Sequence, residues 1–312
     1  MSARRIDLHF HLIPGFYRDA VYAAGGGPQI GRYPDWSPER ALELMDSHAI
    51  EVALTSLAQP GVQFGDRAAS RVLARRCNEY AAELSARWPN RFGAFAVLPV
   101  WSIGEAIAEA AYALDVLKLQ GVCLFASYGE RFLGDTWFDP LMRELDQRDA
   151  IVFVHPALHP SSRKLDLPWP GFMMEYLFDT TRAAVNLAFS GTLEKFPRVR
   201  IVLAHAGGLM PYFAWRLSVS PMIDTRLPQI PQEQIFARLA AFWYDTALCP
   251  APPTMACLAG VARPERIVFG TDWPFANAAV LAEAFRIYGG DSSAERAAIE
   301  RGNALALFPQ FA

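Results

Sequence analysis

Six histidines occur in the 312-residue chain: His9, His11, His48, His155, His159 and His205. Four of them stand at the ends of short apolar runs. Asp7-Leu8-His9-Phe10-His11 closes the first run, His155 ends Val-Phe-Val-His, and His205 ends Ile-Val-Leu-Ala-His. Asp272 follows Val-Phe-Gly-Thr in the same way. Strand residues two apart share a face, so His9 and His11 project into one space. Three imidazoles and a carboxylate around one point make a divalent-metal site with room for water. A lone histidine on a strand is usually structural. The set acquires meaning only if the chain brings these run ends together.

The pattern of elements supplies that condition. Eight apolar runs recur: Ile6–His11, Glu51–Ala58, Phe92–Val100, Gly121–Ala126, Ile151–Pro156, Ile201–Ala206, Phe242–Leu248 and Ile267–Trp273. Runs apolar on both faces suit parallel strands buried on both sides. Between them lie helical segments. Ser37-Pro38 reads as an N-cap with proline at the first helical position, and Asp66 to Trp88 is periodic up to Pro89. Ser102 with Glu105 makes a capping box, and Asp139-Pro140 opens another helix. Phe172 to Phe196, Gln232–Ala241 and Ala276–Tyr288 complete the set. Eight strand–helix units predict one (β/α)8 TIM barrel over residues 1–312, a single domain. An open doubly wound sheet is the alternative, but the glycine-rich GxGxxG turn is absent. In a barrel, the ends of strands one, five, six and eight converge on the carboxyl face. Two long connections, Leu12 to Asp35 and His159 to Gly171, leave strands on that face and should shape a pocket there.

Composition removes several classes of function. Hydrophobic residues make up 52% and charged residues only 20%, which excludes a disordered chain. With 29 basic and 32 acidic residues the net charge is −3, so no basic excess exists to bind nucleic acid. The most apolar stretch, Leu239 to Ala262, carries Asp245, Pro250, Pro252 and Pro253, which argues against a membrane span. The N-terminal residues lack an apolar signal core, so a cytoplasmic protein is expected. The four cysteines form no CxxC pair and read as small buried hydrophobes.

Asp7-x-His9-x-His11, His155, His205 and Asp272 together resemble the amidohydrolase superfamily. The supporting runs are Arg40-Ala-Leu-Glu-Leu-Met-Asp46, Phe196-Pro-Arg-Val-Arg-Ile-Val-Leu-Ala-His-Ala-Gly-Gly208, Tyr244-Asp-Thr246 and Gly270-Thr-Asp-Trp-Pro274. They are most similar to the branch of 2-amino-3-carboxymuconate-6-semialdehyde, γ-resorcylate and 6-methylsalicylate decarboxylases. The resemblance implies one divalent metal, zinc first and manganese second, held by His9, His11, His155 and Asp272. It makes His205 the general acid/base and Asp272 both ligand and proton carrier. It gives Arg40 the substrate carboxylate within its own subunit. Arg216 would reach into the neighbouring site of a homodimer. No lysine ends the fourth run, so a carbamylated-lysine two-metal site is not expected.

The chain departs from the resorcylate type at Gly208, where that type carries a glutamate bonded to the strand-six histidine; something else must orient His205 here. Trp169, Phe172 and Met173 are candidate walls for a flat ring. His159 is expected in a solvent-facing loop, His48 in a structural role, and Asp7 and Asp245 as structural carboxylates. The leading function is non-oxidative decarboxylation of a small unsaturated or aromatic acid. The alternative is hydrolysis of a lactone or amide by the same metal-bound water. A hydratase ranks third and a metal-stabilised scaffold last, since barrels host many chemistries.

Overall fold

The computed structural model describes residues 4–165, 167–289 and 293–312. The extreme N-terminus, from which the missing signal core was read, thus lies partly outside the described residues. Eight parallel strands pair in chain order: β1 (Arg5–His11), β2 (Ile50–Ser56), β3 (Phe92–Val97), β4 (Gly121–Phe125), β5 (Ile151–His155), β6 (Arg200–Leu203), β7 (Trp243–Asp245) and β8 (Ile267–Val268). Backbone bonds join the last to the first, from Leu8 to Phe269 at 2.9 Å and from Asp272 to His9 at 2.8 Å, and close the barrel. The predicted (β/α)8 architecture is therefore the observed one.

Strands β1, β3, β4 and β5 are buried along almost their whole length, as crossover helices on the outside and a filled interior require. The two predicted caps form, and Asp66 adds a third. The hydroxyls of Ser37 and Ser102 accept from the backbone N–H of Arg40 and Glu105, and the Asp66 carboxylate accepts from that of Ala69. The core has two shells. Ile6, Leu8, Phe95, Phe153 and Val202 fill the barrel, with Phe308 and Phe311 plugging its lower end. A larger shell packs between strands and helices.

Several elements differ from expectation. The predicted runs six, seven and eight end early, so His205 and Asp272 lie beyond β6 and β8, not on them. The helix predicted over Phe172 to Phe196 spans Glu175–Phe189; Gly191, with φ 78°, breaks the chain before a short turn at Thr192–Lys195. The Leu12 to Asp35 connection contains a helix, Gly15–Ala23, whose Tyr17 and Val21 are buried. A further helix, Met210–Ile223, follows β6.

The plug at the amino end should govern stability and leave the opposite end alone. Phe308 is 1% exposed and meets Phe95 and Phe311 edge-on or tilted. Phe308→Ala is expected to cost about 3–5 kcal/mol in denaturant unfolding, with the metal-to-protein ratio of the folded variant unchanged.

Candidate metal centre and active site

A one-residue bulge in β1 aims the first two ligands. Asp7 pairs with Ala53 and Phe10 with Thr55, so three steps on β1 face two on β2. Ile6 and Leu8 point into the barrel below it, whereas above it Phe10 turns to the outer shell and His9 and His11 turn inward. Asp7 fixes this register from beneath. Fully buried, it accepts from the His9 N–H at 3.0 Å and from the Thr271 hydroxyl at 2.6 Å, tying β1 to the turn that carries Asp272. Burial pushes its carboxyl up to about 7 against those bonds. The turn itself needs Gly270, since a Cβ there would lie 2.8 Å from that of His9.

His9, His11, His155 and Asp272 then converge, each offering one ligand atom within 4.8 Å of the others. His9 Nε2 stands 3.1 Å from His11 Nε2, and Asp272 Oδ1 lies 2.9 Å from His11 Nε2 and 3.4 Å from His9 Nε2. The remaining ring nitrogens are occupied. His9 Nδ1–H donates to Asp245 Oδ2 at 2.7 Å, His11 Nδ1–H to the Ser56 carbonyl at 3.2 Å, and His155 Nδ1–H to the Pro156 carbonyl at 2.8 Å. Each partner fixes the tautomer that presents an Nε2 lone pair. Two such lone pairs 3.1 Å apart repel unless a positive charge lies between them. Bonds of 2.0–2.1 Å to a tetrahedral ion would separate ligand atoms by roughly 3.3 Å, so the donor set fits a divalent metal.

The electrostatics agree. Burial depresses His9, yet the carboxylates of Asp245 and Asp272 outweigh it and raise its pKa. Burial pushes the Asp272 carboxyl up, but His9 and the His11 hydrogen bond hold it well below the usual carboxylate range. Burial lowers both His11 and His155, keeping them neutral ligands. His11 and His155 thus offer lone pairs and Asp272 an ionised carboxylate.

His205 sits just outside, its ring centroid 4.8 Å from that of His9. Asp245 Oδ1 accepts from its backbone N–H at 2.8 Å, and its Nδ1–H donates to the Ala247 carbonyl at 3.0 Å. These bonds do the work for which a glutamate at 208 would otherwise be needed. Gly208 has φ 67°, and a Cβ there would lie 2.3 Å from the Leu177 carbonyl, so no side chain fits. His205 itself adopts φ 53°, Ala206 56° and Asp272 65°. Left-handed non-glycine residues cluster where a site over-determines the backbone.

Above the centre lies a cavity of about 590 Å³. His155, His205 and Asp272 form part of its wall, with Phe172, Met173, Leu248, Phe275 and Val280 among the apolar residues. Gln29, Gln59, Tyr176 and Asn277 supply polar groups, and none of the described lining residues is Lys or Arg. Sequence reasoning placed Phe172 and Met173 here but missed Tyr176, Gln59 and Cys249. Tyr176 lies on the first turn of a helix whose inward face is legible only after its start is known. Three residues lie elsewhere than expected. Trp169 is 60% exposed and outside the lining, because the loop turns it outward. Arg40 is also outside, exposed on the first turn of the helix Pro38–Ser47 and paired with Asp35 at 3.3 Å. His159 is buried, stacked on Phe132 with centroids 4.6 Å apart, not solvent-facing. Arg216 is exposed on the helix Met210–Ile223, with no ion pair among the described residues. No described helix is long and apolar enough to cross a membrane.

Comparison with known proteins follows the same lines. The chain is 37% identical to the decarboxylase yanB of Aspergillus niger over 98% of its own length and 88% of the relative's. It is 34% identical to the 6-methylsalicylic acid decarboxylase acuB of Aspergillus aculeatus, over 98% and 96%. A dihydroxybenzoic acid decarboxylase from Polaromonas sp. JS666, solved with manganese and 2-nitroresorcinol, superposes with a TM-score of 0.80 at 25% identity, covering 98% of this chain and 96% of that one. The family profile described as Amidohydrolase matches residues 6–310. With that match spanning the whole barrel and the metal cluster at its carboxyl end, the chain belongs to the amidohydrolase family.

Proposed function

We propose that this enzyme is a metal-dependent, non-oxidative decarboxylase of a small aromatic acid of the 6-methylsalicylate kind. The observation that carries the reading is a single one. Four buried ligand atoms and His205 meet beside a largely apolar cavity, which His155, His205 and Asp272 help to line, in a chain 34% identical to a 6-methylsalicylic acid decarboxylase. His9, His11, His155 and Asp272 hold one divalent ion, zinc or manganese. Bound there, such an ion supplies Lewis-acid charge for the substrate carboxylate and an adjacent oxygen.

Decarboxylation replaces a ring C–C bond by a C–H bond. The bonding pair stays on the ring carbon, carbon dioxide leaves, and a proton must reach that carbon. Asp272, at the cavity wall, carries the proton to the ring. His205 exchanges protons through Nε2, since Nδ1–H is committed to Ala247. Phe172, Met173 and Phe275 exclude water and hold the ring flat. The enzyme works as a homodimer in which Arg216 reaches the partner's site. In support, the helix bearing Arg216 exposes Tyr212 at 76%, Trp215 at 68% and Ile223 at 78%, an apolar face that a second copy would cover.

Purified enzyme is expected to hold about one zinc or manganese per chain. His155→Ala should lose most of it while circular dichroism stays that of the folded barrel; metal retained at the original level would refute the ligand set. His205→Asn should keep its metal and lose about 10²–10⁴-fold in turnover. Incubation with 6-methylsalicylate should release carbon dioxide and 3-methylphenol in equal amounts. Hydrolysis of a lactone or amide panel with no carbon dioxide from any aromatic acid would instead establish a hydrolase. Co-expressed His205→Ala and Arg216→Ala chains should form heterodimers with one intact site and recover activity that neither variant shows alone. Full activity in a monomer would sink the shared site.

A further inference from the structure

One part of the cavity wall is unused by the metal chemistry. Gln59, just beyond β2, and Tyr176, on the first turn of the helix Glu175–Phe189, face the cavity together. The Tyr176 hydroxyl donates to Gln59 Oε1 at 3.0 Å. That bond leaves the Gln59 amide N–H as a donor and a Tyr176 oxygen lone pair as an acceptor. A hydroxyl both donates and accepts, so it matches this pair. The pair is also in reach of a ring held at the metal centre, since the Tyr176 and His155 ring centroids are 6.3 Å apart.

The surroundings select for a neutral group. Ile30, Pro34 and Ala58 line the cavity with Gln59, and burial pushes the Tyr176 phenol well above its ordinary range, so it stays a neutral hydroxyl. Behind the wall, Tyr17 contacts the Ala58 carbonyl at 3.5 Å. The Tyr33 hydroxyl, next to cavity-lining Pro34, is buried and turned to Tyr17, away from the cavity lining. The capacity facing the cavity on this side is that of the Gln59 amide N–H and the Tyr176 oxygen. Elsewhere in the lining Leu248, Phe275 and Val280 carry no hydrogen-bonding side chain, and the Asn277 side-chain oxygen already accepts from the backbone N–H groups of Ala279 and Val280.

We propose that Gln59 and Tyr176 form a substituent subsite that binds a neutral ring hydroxyl of the aromatic acid and so determines which hydroxybenzoate the enzyme prefers. The inference rests on the aromatic-acid reading above and adds the residues that discriminate within that class. A site able to bond a hydroxyl binds the analogue lacking it less tightly, because its polar groups are left unpaired.

The test is calorimetric titration of the metal-loaded enzyme with salicylate and with 2,3-, 2,4-, 2,5- and 2,6-dihydroxybenzoate. At least one isomer should bind about tenfold more tightly than salicylate. In Tyr176→Phe and in Gln59→Leu that ratio should fall to about one. Metal content of the same samples reports folding, and either variant alone suffices should the other fail to fold. A ratio that persists in the variants, or no preferred isomer in the wild type, overturns the subsite while leaving the aromatic-acid reading in place. Absence of binding by salicylate and all four isomers overturns both.

Discussion

Two imidazole nitrogens held 3.1 Å apart, each with its proton committed to the far side of its ring, create a demand for positive charge that the rest of the structure serves. In water such a pair would separate or share a proton. Inside the barrel neither ring can move, because His9 is bound to Asp245, His11 to the Ser56 carbonyl, and both are fully buried. Asp272 adds an ionised carboxylate to the same point. The donors are thus held ready for a divalent ion, whose binding would add to the stability of the fold.

Asp245 is the residue through which most of this passes. One oxygen fixes the tautomer of His9, while the other accepts from the backbone N–H groups of His205 and Ala247. A single carboxylate couples a metal ligand to the acid/base residue, so both keep their positions relative to the cavity. Asp7 performs the corresponding service between β1 and the Asp272 turn. Neither carboxylate touches the cavity, and both are wholly buried. They are affordable because their lone pairs are satisfied by three or more donors, counting His9.

The division between the two ends of the barrel follows from the same economy of packing. Below, Phe95, Phe153, Phe308 and Phe311 fill the interior with side chains that do no chemistry. Above, loops replace strands, left-handed residues appear at His205, Ala206 and Asp272, and titratable side chains meet the cavity. The cavity lies on that side, with its walls drawn from the end of β5 and the connections after β1, β2, β5, β6, β7 and β8. The dihydroxybenzoic acid decarboxylase from Polaromonas shares this frame.

Residue types at the ends of apolar runs were enough to read the barrel and to single out His9, His11, His155, His205 and Asp272. Strand burial and metal affinity both leave local marks, as apolar runs and as donor atoms at fixed spacing. What lay between the runs was less legible. Nothing in the sequence shows a bulge between Asp7 and Phe10, a helix break at Gly191, or the close approach of the Leu177 carbonyl that forbids a side chain at 208. Nor could it show that Asp245 would replace a glutamate in fixing His205, that Arg40 would turn to Asp35, or that Tyr176 and Gln59, 117 positions apart, would meet. Those outcomes depend on which loops pack over which strand ends. That is a matter of non-local contact, settled only when the whole barrel closes.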